Sequence, residues 1–374
     1  CTTLHPSVVQ STTIQSLNIR SNGISSPLDT SGTNLQEIVT FVSGGNSHPI
    51  IDFSGKQKLK TCYTDQMRFT VNTVGTTVFN NCPLLSRIDI YNTNVTGALP
   101  DFSSNSSLSI FYSWGTQWQD ASPNYSIESY TFGPTNGGCR STLTQFNLQS
   151  TGLRGPIHPD AFANMGALTS LVVRSYGLGI TGVYPESINS CLNLRTLYLD
   201  QNKLGGELPN FSGNTLLGTI IMGQNSFTGE VPLLTLPALS TLYVNNNSLT
   251  GFAGLSCINL VQLNASVNLL QEIPVLSSTP RLINLWLNSN PGMKYIPGEL
   301  SRVLAIRRIE MNNCGFDRGT IDQILIDLNE NYNSNPRKNI FVSLTGNSSP
   351  SATVEITDII NRLRREGWTL GLQA

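Results

Sequence analysis

Gly177, Gly179 and Gly182 stand at the G-x-G-x-x-G spacing of a loop that cradles a dinucleotide pyrophosphate. Such a loop must leave a strand and open a helix, so that backbone N–H groups and the helix dipole face the phosphates. Here the run leads into Val183, Tyr184 and Pro185, and nucleotide binding is not expected. His5, His48 and His158 are not paired at metal-ligand spacing, and neither Cys-x-x-Cys nor His-Glu-x-x-His occurs. No nucleophile elbow or placed pair of carboxylates stands out. No metal, no cofactor and no catalytic residue are expected, and the chain does not read as an enzyme.

Aromatic and polar side chains at regular intervals are the alternative source of chemistry. Tyr198, Ile221, Tyr243 and Trp286, with Val172 before them, recur at one position of a repeated phrase; Arg174 and Asp200 lie two residues further on than Val172 and Tyr198. Trp and Tyr anchor interfaces or stack on sugars, so this pattern points to binding, although both residues also simply favour strands. A second concentration, Tyr112, Trp114, Trp118, Tyr125, Tyr130 and Phe132, falls between Leu108 and Leu143, an interval of 35 residues. These rings either fold down over a gap in the core or project as a recognition loop through Trp114 and Trp118.

The element that must position these residues is the repeat itself. Residues 194–209 read LRTLYLDQNKLGGELP and residues 217–232 read LGTIIMGQNSFTGEVP. The shared form, L-x-x-L-x-L-x-x-N-x-L-x-G-x-x-P, has variants opening at Leu143, Leu168, Leu239, Leu260, Leu282 and Ile306, with earlier copies from Leu85 and Ile14. Its asparagines, Asn202, Asn225, Asn247, Asn268 and Asn290, advance by 23, 22, 21 and 22 residues. Each L-x-L suits a short strand whose alternate residues point inward, and only stacked strands can bury the resulting Leu ladder. The asparagine sits where the chain leaves the strand, with an amide able to satisfy buried backbone groups of neighbouring turns.

This pattern resembles the leucine-rich repeat family over most of residues 85–316. The resemblance implies an α/β repeat solenoid: a curved array with a parallel β-sheet on its concave face and a mostly turn-like convex side. It also implies that the asparagine ladder is structural. The outward column of the concave sheet then reads Asp89, Asn147, Val172, Tyr198, Ile221, Tyr243, Asn264, Trp286 and Glu310, flanked by Arg174, Asp200, Asn245 and Asn288. Residues 1–80 are expected to form an irregular N-terminal cap with divergent repeats, including the alternating stretch 67–73. Residues 81–316 carry the repeats, and residues 317–374 form a C-terminal cap. In that cap, residues 320–331 and 353–366 place apolar side chains on one helical face, around a strand at Ile340–Leu344. The segment LTGNSSPSATVEITDIINRLRREGW resembles the cap of leucine-rich repeat proteins of tailed phages and environmental bacteria.

Cys82, Cys191 and Cys257 each precede a repeat's opening Leu by three residues, and Cys314 replaces the ladder asparagine, so these four are expected to be buried free thiols. Cys62 and Cys139 have no such slot, which leaves a bridge between them open. Cys1 fits a start after a removed signal, a lipid-anchored bacterial protein or a boundary. Seven Asn-x-Ser/Thr sequons, at Asn94, Asn105, Asn124, Asn210, Asn246, Asn264 and Asn347, are near the number that chance gives in a chain this rich in Asn, Ser and Thr.

Composition bounds the partners. Only 12% of the 374 residues are charged, and 22 basic against 23 acidic residues leave a net charge of -1. That supplies no electrostatic footprint for nucleic acid or an anionic membrane. No apolar run approaches the roughly 20 residues of a transmembrane segment. The expected function is a recognition or attachment module, extracellular, on a cell surface or on a virion surface, binding a protein or a cell-surface glycan. The alternatives are a virion structural or decoration protein that contacts capsid or tail proteins or copies of itself, and a secreted or receptor-type ectodomain of a cellular organism.

Overall fold

A computed structural model describes residues 13–19, 40–44, 52–65, 77–118, 126–129, 131–134, 137–175 and 179–373. The chain divides into two compact units, Cys1–Leu204 and Gly205–Ala374. In the first unit, the strands Ser16–Asn18, Thr40–Gly44, Thr61–Asp65, Arg87–Tyr91, Ile110–Trp114, Gln145–Gln149, Ser170–Arg174 and Thr196–Tyr198 pair in parallel, each with the next in chain order. In the second, Thr219–Ile221, Thr241–Tyr243, Gln262–Asn264, Asn284–Trp286, Arg308–Glu310, Phe341–Ser343 and Thr369–Gly371 do the same. Parallel neighbours require a crossover between every pair, and here each crossover is one repeat's turn side.

The register is fixed by burial. Ile88, Phe111, Phe146, Leu171 and Leu197 lie side by side and fully buried in the first unit, and Ile220, Leu242, Leu263, Leu285 and Ile309 do so in the second. A slip of one residue would turn every one of them to water. Behind the first ladder runs a phenylalanine stack, Phe53 on Phe79 at 5.8 Å, Phe102 on Phe111 at 4.9 Å and Phe132 against Phe146 at 4.9 Å. The turn side is more regular than expected. The x-G-x segments form further short parallel strands, Gly155–Pro156 with Ile180–Val183 and Ser226–Val231 with Ser248–Phe252.

Each repeat turns off its strand through one left-handed residue, Gln201, Gln224, Asn246, Val267, Ser289 and Asn313 in successive copies. The next residue is the ladder asparagine, or Cys314 in the last of these copies. Asn268, buried, donates from Nδ2 to the carbonyls of Val244 and Ala265, 3.1 Å each, and accepts at Oδ1 from the Leu249 N–H at 3.0 Å. Asn202, Asn247 and Asn290 repeat that arrangement, and Asn225 makes its own-turn bonds to Met222 and Gly223. At Cys314 the thiol cannot take over the acceptor role, and the Gly292 N–H bonds the Cys314 backbone carbonyl instead. Asn347 resumes the ladder, accepting from the N–H groups of Cys314 and Phe316. In the first unit the same slot holds buried Thr93, Thr116 and Thr151, small hydroxyls that a search for asparagine does not reveal.

The end of the second unit is closed by the helices Arg318–Ser334 and Val354–Arg365, capped by the side chains of Asp317 and Thr353. They bury Ile321, Ile324, Leu325 and Leu328, and Ile356, Ile359 and Leu363, respectively. Asp327 is buried with them, its carboxylate accepting from the Tyr295 hydroxyl at 2.5 Å, the Gly298 N–H at 2.6 Å and the Gln323 amide at 2.8 Å.

All six described cysteines, Cys62, Cys82, Cys139, Cys191, Cys257 and Cys314, are buried free thiols, so Cys62 and Cys139 do not bridge. Asn105 and Asn347 bury their side chains on backbone carbonyls and are closed as glycan acceptors in the folded chain. Gly179 and Gly182 flank and enter the strand Ile180–Val183, which a 3-10 turn at Glu186–Ser190 follows; no helix N-terminus faces them. Gly177, Tyr125, Tyr130, His5, His48, Cys1, Asn124 and the stretch 67–73 lie outside the described residues.

Candidate functional site

The outward side chains of each ladder form a candidate surface. In the first unit, three consecutive strands in register set out nine positions: Arg87, Ile110 and Gln145; Asp89, Tyr112 and Asn147; Tyr91, Trp114 and Gln149. The Arg87 guanidinium pairs with Asp89 at 2.9 Å and lies 5.5 Å from the ring centroids of both Tyr63 and Tyr112. The carboxylate bonding it holds the Arg87 pKa above its ordinary value. Tyr112 donates its hydroxyl to Gln145 Oε1. Tyr91 and Trp114 stack at 5.4 Å with planes 4° apart, and Trp114 is 41% exposed. Further along, Arg174 makes a bidentate pair with Asp200, at 2.7 and 2.5 Å, and lies 5.3 Å from the Tyr198 ring.

In the second unit, Tyr243 and Trp286 stand on strands separated by the one carrying Asn264, and their rings meet edge to face at 6.1 Å. The Trp286 Nε1–H donates to Glu310 Oε1 at 3.2 Å, while Asn288 donates to the other carboxylate oxygen at 3.0 Å and Arg308 to Oε1 at 2.5 Å. Tyr243 donates its hydroxyl to Gln262 Oε1. Ile221 lies beside Tyr243 in register, half-buried. The rings are thus held by hydrogen bonds before any partner arrives.

Four of the expected residues do not offer open contact surface. Trp118 is fully buried, its indole N–H donating to Ser113 Oγ at 2.7 Å, and Phe132 is buried in the phenylalanine stack. The described part of the aromatic insertion therefore fills the core on the turn side; Trp114 belongs to a ladder strand. Val172 is only 6% exposed, and Asp200 only 5%, which leaves Asp200 as the partner that holds Arg174. The sequence reading named Tyr112 only as part of the aromatic insertion and overlooked Tyr63, Arg87 and Tyr91. The signal for them was present in TCYTD, which alternates like the later strands, and in RIDIY of the copy opening at Leu85, where only Asp89 was read as outward although Arg87 and Tyr91 share its face.

No family model matches the chain. Podocan of Mus musculus is 26% identical over 231 residues, covering 55% of this chain and 37% of podocan. The Arabidopsis receptor kinase HAESA, in complex with the peptide hormone IDA and the co-receptor SERK1, superposes with a TM-score of 0.68 at 18% identity over 99% of this chain and 60% of HAESA's. The fold is that of the leucine-rich repeat. A leucine-rich repeat protein of Leptospira interrogans superposes with a TM-score of 0.58 at 16% identity, over 100% of this chain and 93% of that one. The chain spans little more than a third of podocan's length, and these low identities establish the leucine-rich repeat fold alone. Among the described residues, no helix is long and apolar enough to cross a membrane, and no group of three His, Cys, Asp or Glu is placed to hold a metal ion.

Proposed function

We propose that this chain is a non-enzymatic, extracellular recognition module that receives a polypeptide partner on the outward face of its leucine-rich repeat ladder. The observation that carries the reading is the Tyr243–Trp286 pair, two large rings on a water-facing sheet, preset at 6.1 Å and fixed by Glu310 and Gln262. Rings already held in place lose little rotamer freedom on binding, which is what an interface anchor requires. Support also comes from HAESA, whose structure holds a peptide hormone and a co-receptor. The virion-surface and decoration alternatives rest on the cap's phage-like sequence alone.

The test is a screen of displayed ectodomains and peptides against the immobilised chain, followed by affinity measurement on the double variant Tyr243→Ala, Trp286→Ala. A loss of roughly tenfold or more, with the melting temperature little changed, is expected. Unchanged affinity would sink this surface as the site.

A further inference from the structure

The nine outward positions of the first unit differ chemically from the Tyr243–Trp286 face. Their two charges, Arg87 and Asp89, neutralise each other at 2.9 Å, and the Arg87 guanidinium is covered by Tyr63 and Tyr112 at 5.5 Å. Within these nine positions, no charge is then left without its counter-charge. What they present instead is the exposed, stacked Trp114 next to a run of neutral amides on the neighbouring strand: Gln145, Asn147 and Gln149. Asn147 Oδ1 is buried without a hydrogen-bond partner. An aromatic ring flanked by amides matches a ligand with apolar C–H faces and closely spaced hydroxyls. With strands about 4.8 Å apart and about 3.3 Å per residue, the nine positions span roughly 10 by 13 Å, a footprint for a short oligosaccharide segment.

We infer that this platform, centred on Tyr91, Trp114, Asn147 and Gln149, is a binding site for a neutral glycan. The inference rests on the reading of the outward ladder positions as recognition surfaces, and it adds a second ligand class, on the first unit. Trp114 stacks on the sugar's C–H face, backed by Tyr91. Gln149 and Asn147 exchange hydrogen bonds with ring hydroxyls, and a terminal amide rotation lets Asn147 turn its unpaired oxygen outward.

Isothermal titration of the full chain with maltohexaose, cellohexaose, chitohexaose and mannohexaose tests the site. At least one should bind. Trp114→Ala should weaken that binding by roughly tenfold or more and Gln149→Ala by several fold, while Trp114→Phe keeps most of it. Tyr243→Ala with Trp286→Ala should leave glycan affinity unchanged, so failure here is distinguishable from failure of the polypeptide-binding reading. The inference is overturned if none of the four sugars binds, or if Trp114→Ala binds as wild type with an unchanged circular dichroism spectrum.

Discussion

Asn268 shows why one residue type recurs in this chain. Its amide satisfies a carbonyl of its own repeat and both a carbonyl and an N–H of the preceding one, all away from water. Asn268→Ala leaves those groups unpaired and should cost about 3 kcal/mol by chemical denaturation. Asn268→Cys, which copies Cys314, should cost less because the thiol still donates. The thiols themselves carry a pH signature. Burial pushes Cys82 and Cys314 up to about 11, and Cys139 and Cys191 up to about 12. Because the unfolded chain releases these protons first, near pH 9, their contribution is intact below that and is lost as pH rises towards 11 to 12. Melting temperature should therefore fall steeply above pH 9, and the described thiols should resist alkylation at pH 8 until the chain unfolds; rapid labelling of the folded chain would contradict the burial. The asparagine spacing and the four slot cysteines were legible in sequence. The threonine slots were not, since a small hydroxyl leaves no distinctive mark.

Among the elements, the strand-to-turn corner contains one conspicuous mismatch. Val267 is β-branched, 45% exposed, and held at φ 56°, where the corresponding corners use Gln, Asn, Ser or Gly. Left-handed backbone at such a residue is strained, and Val267→Asn should stabilise the chain by about 1 kcal/mol, read as a higher denaturant midpoint. A lower midpoint would show that Val267 makes a packing contribution larger than its strain. The two cap helices were legible because their apolar faces repeat at helical spacing before a clear stop. The aromatic insertion was ambiguous because rings serve a core and a binding surface equally well. Packing decided it: Trp118 and Phe132 close the core on the turn side, whereas Trp114 stays on the ladder.

For the whole molecule, low charge and high Asn, Ser, Thr and Gly content follow from an architecture that spends its polar residues on turns and pairs several of its ladder-face charges internally. Arg87 with Asp89, Arg174 with Asp200 and Arg308 with Glu310 are all pairs on the ladder faces. On the proposed reading, recognition falls to aromatic rings and amides, which the repeat pattern located for the later strands and missed at Tyr91. The most direct test of this account is oxidative side-chain footprinting of the chain alone and with its screened polypeptide partner. The account predicts protection of Tyr243 and Trp286 with little change at turn-side positions such as Leu233. Protection confined to the turn side, with Tyr243 and Trp286 oxidised at the same rate in both samples, would contradict it.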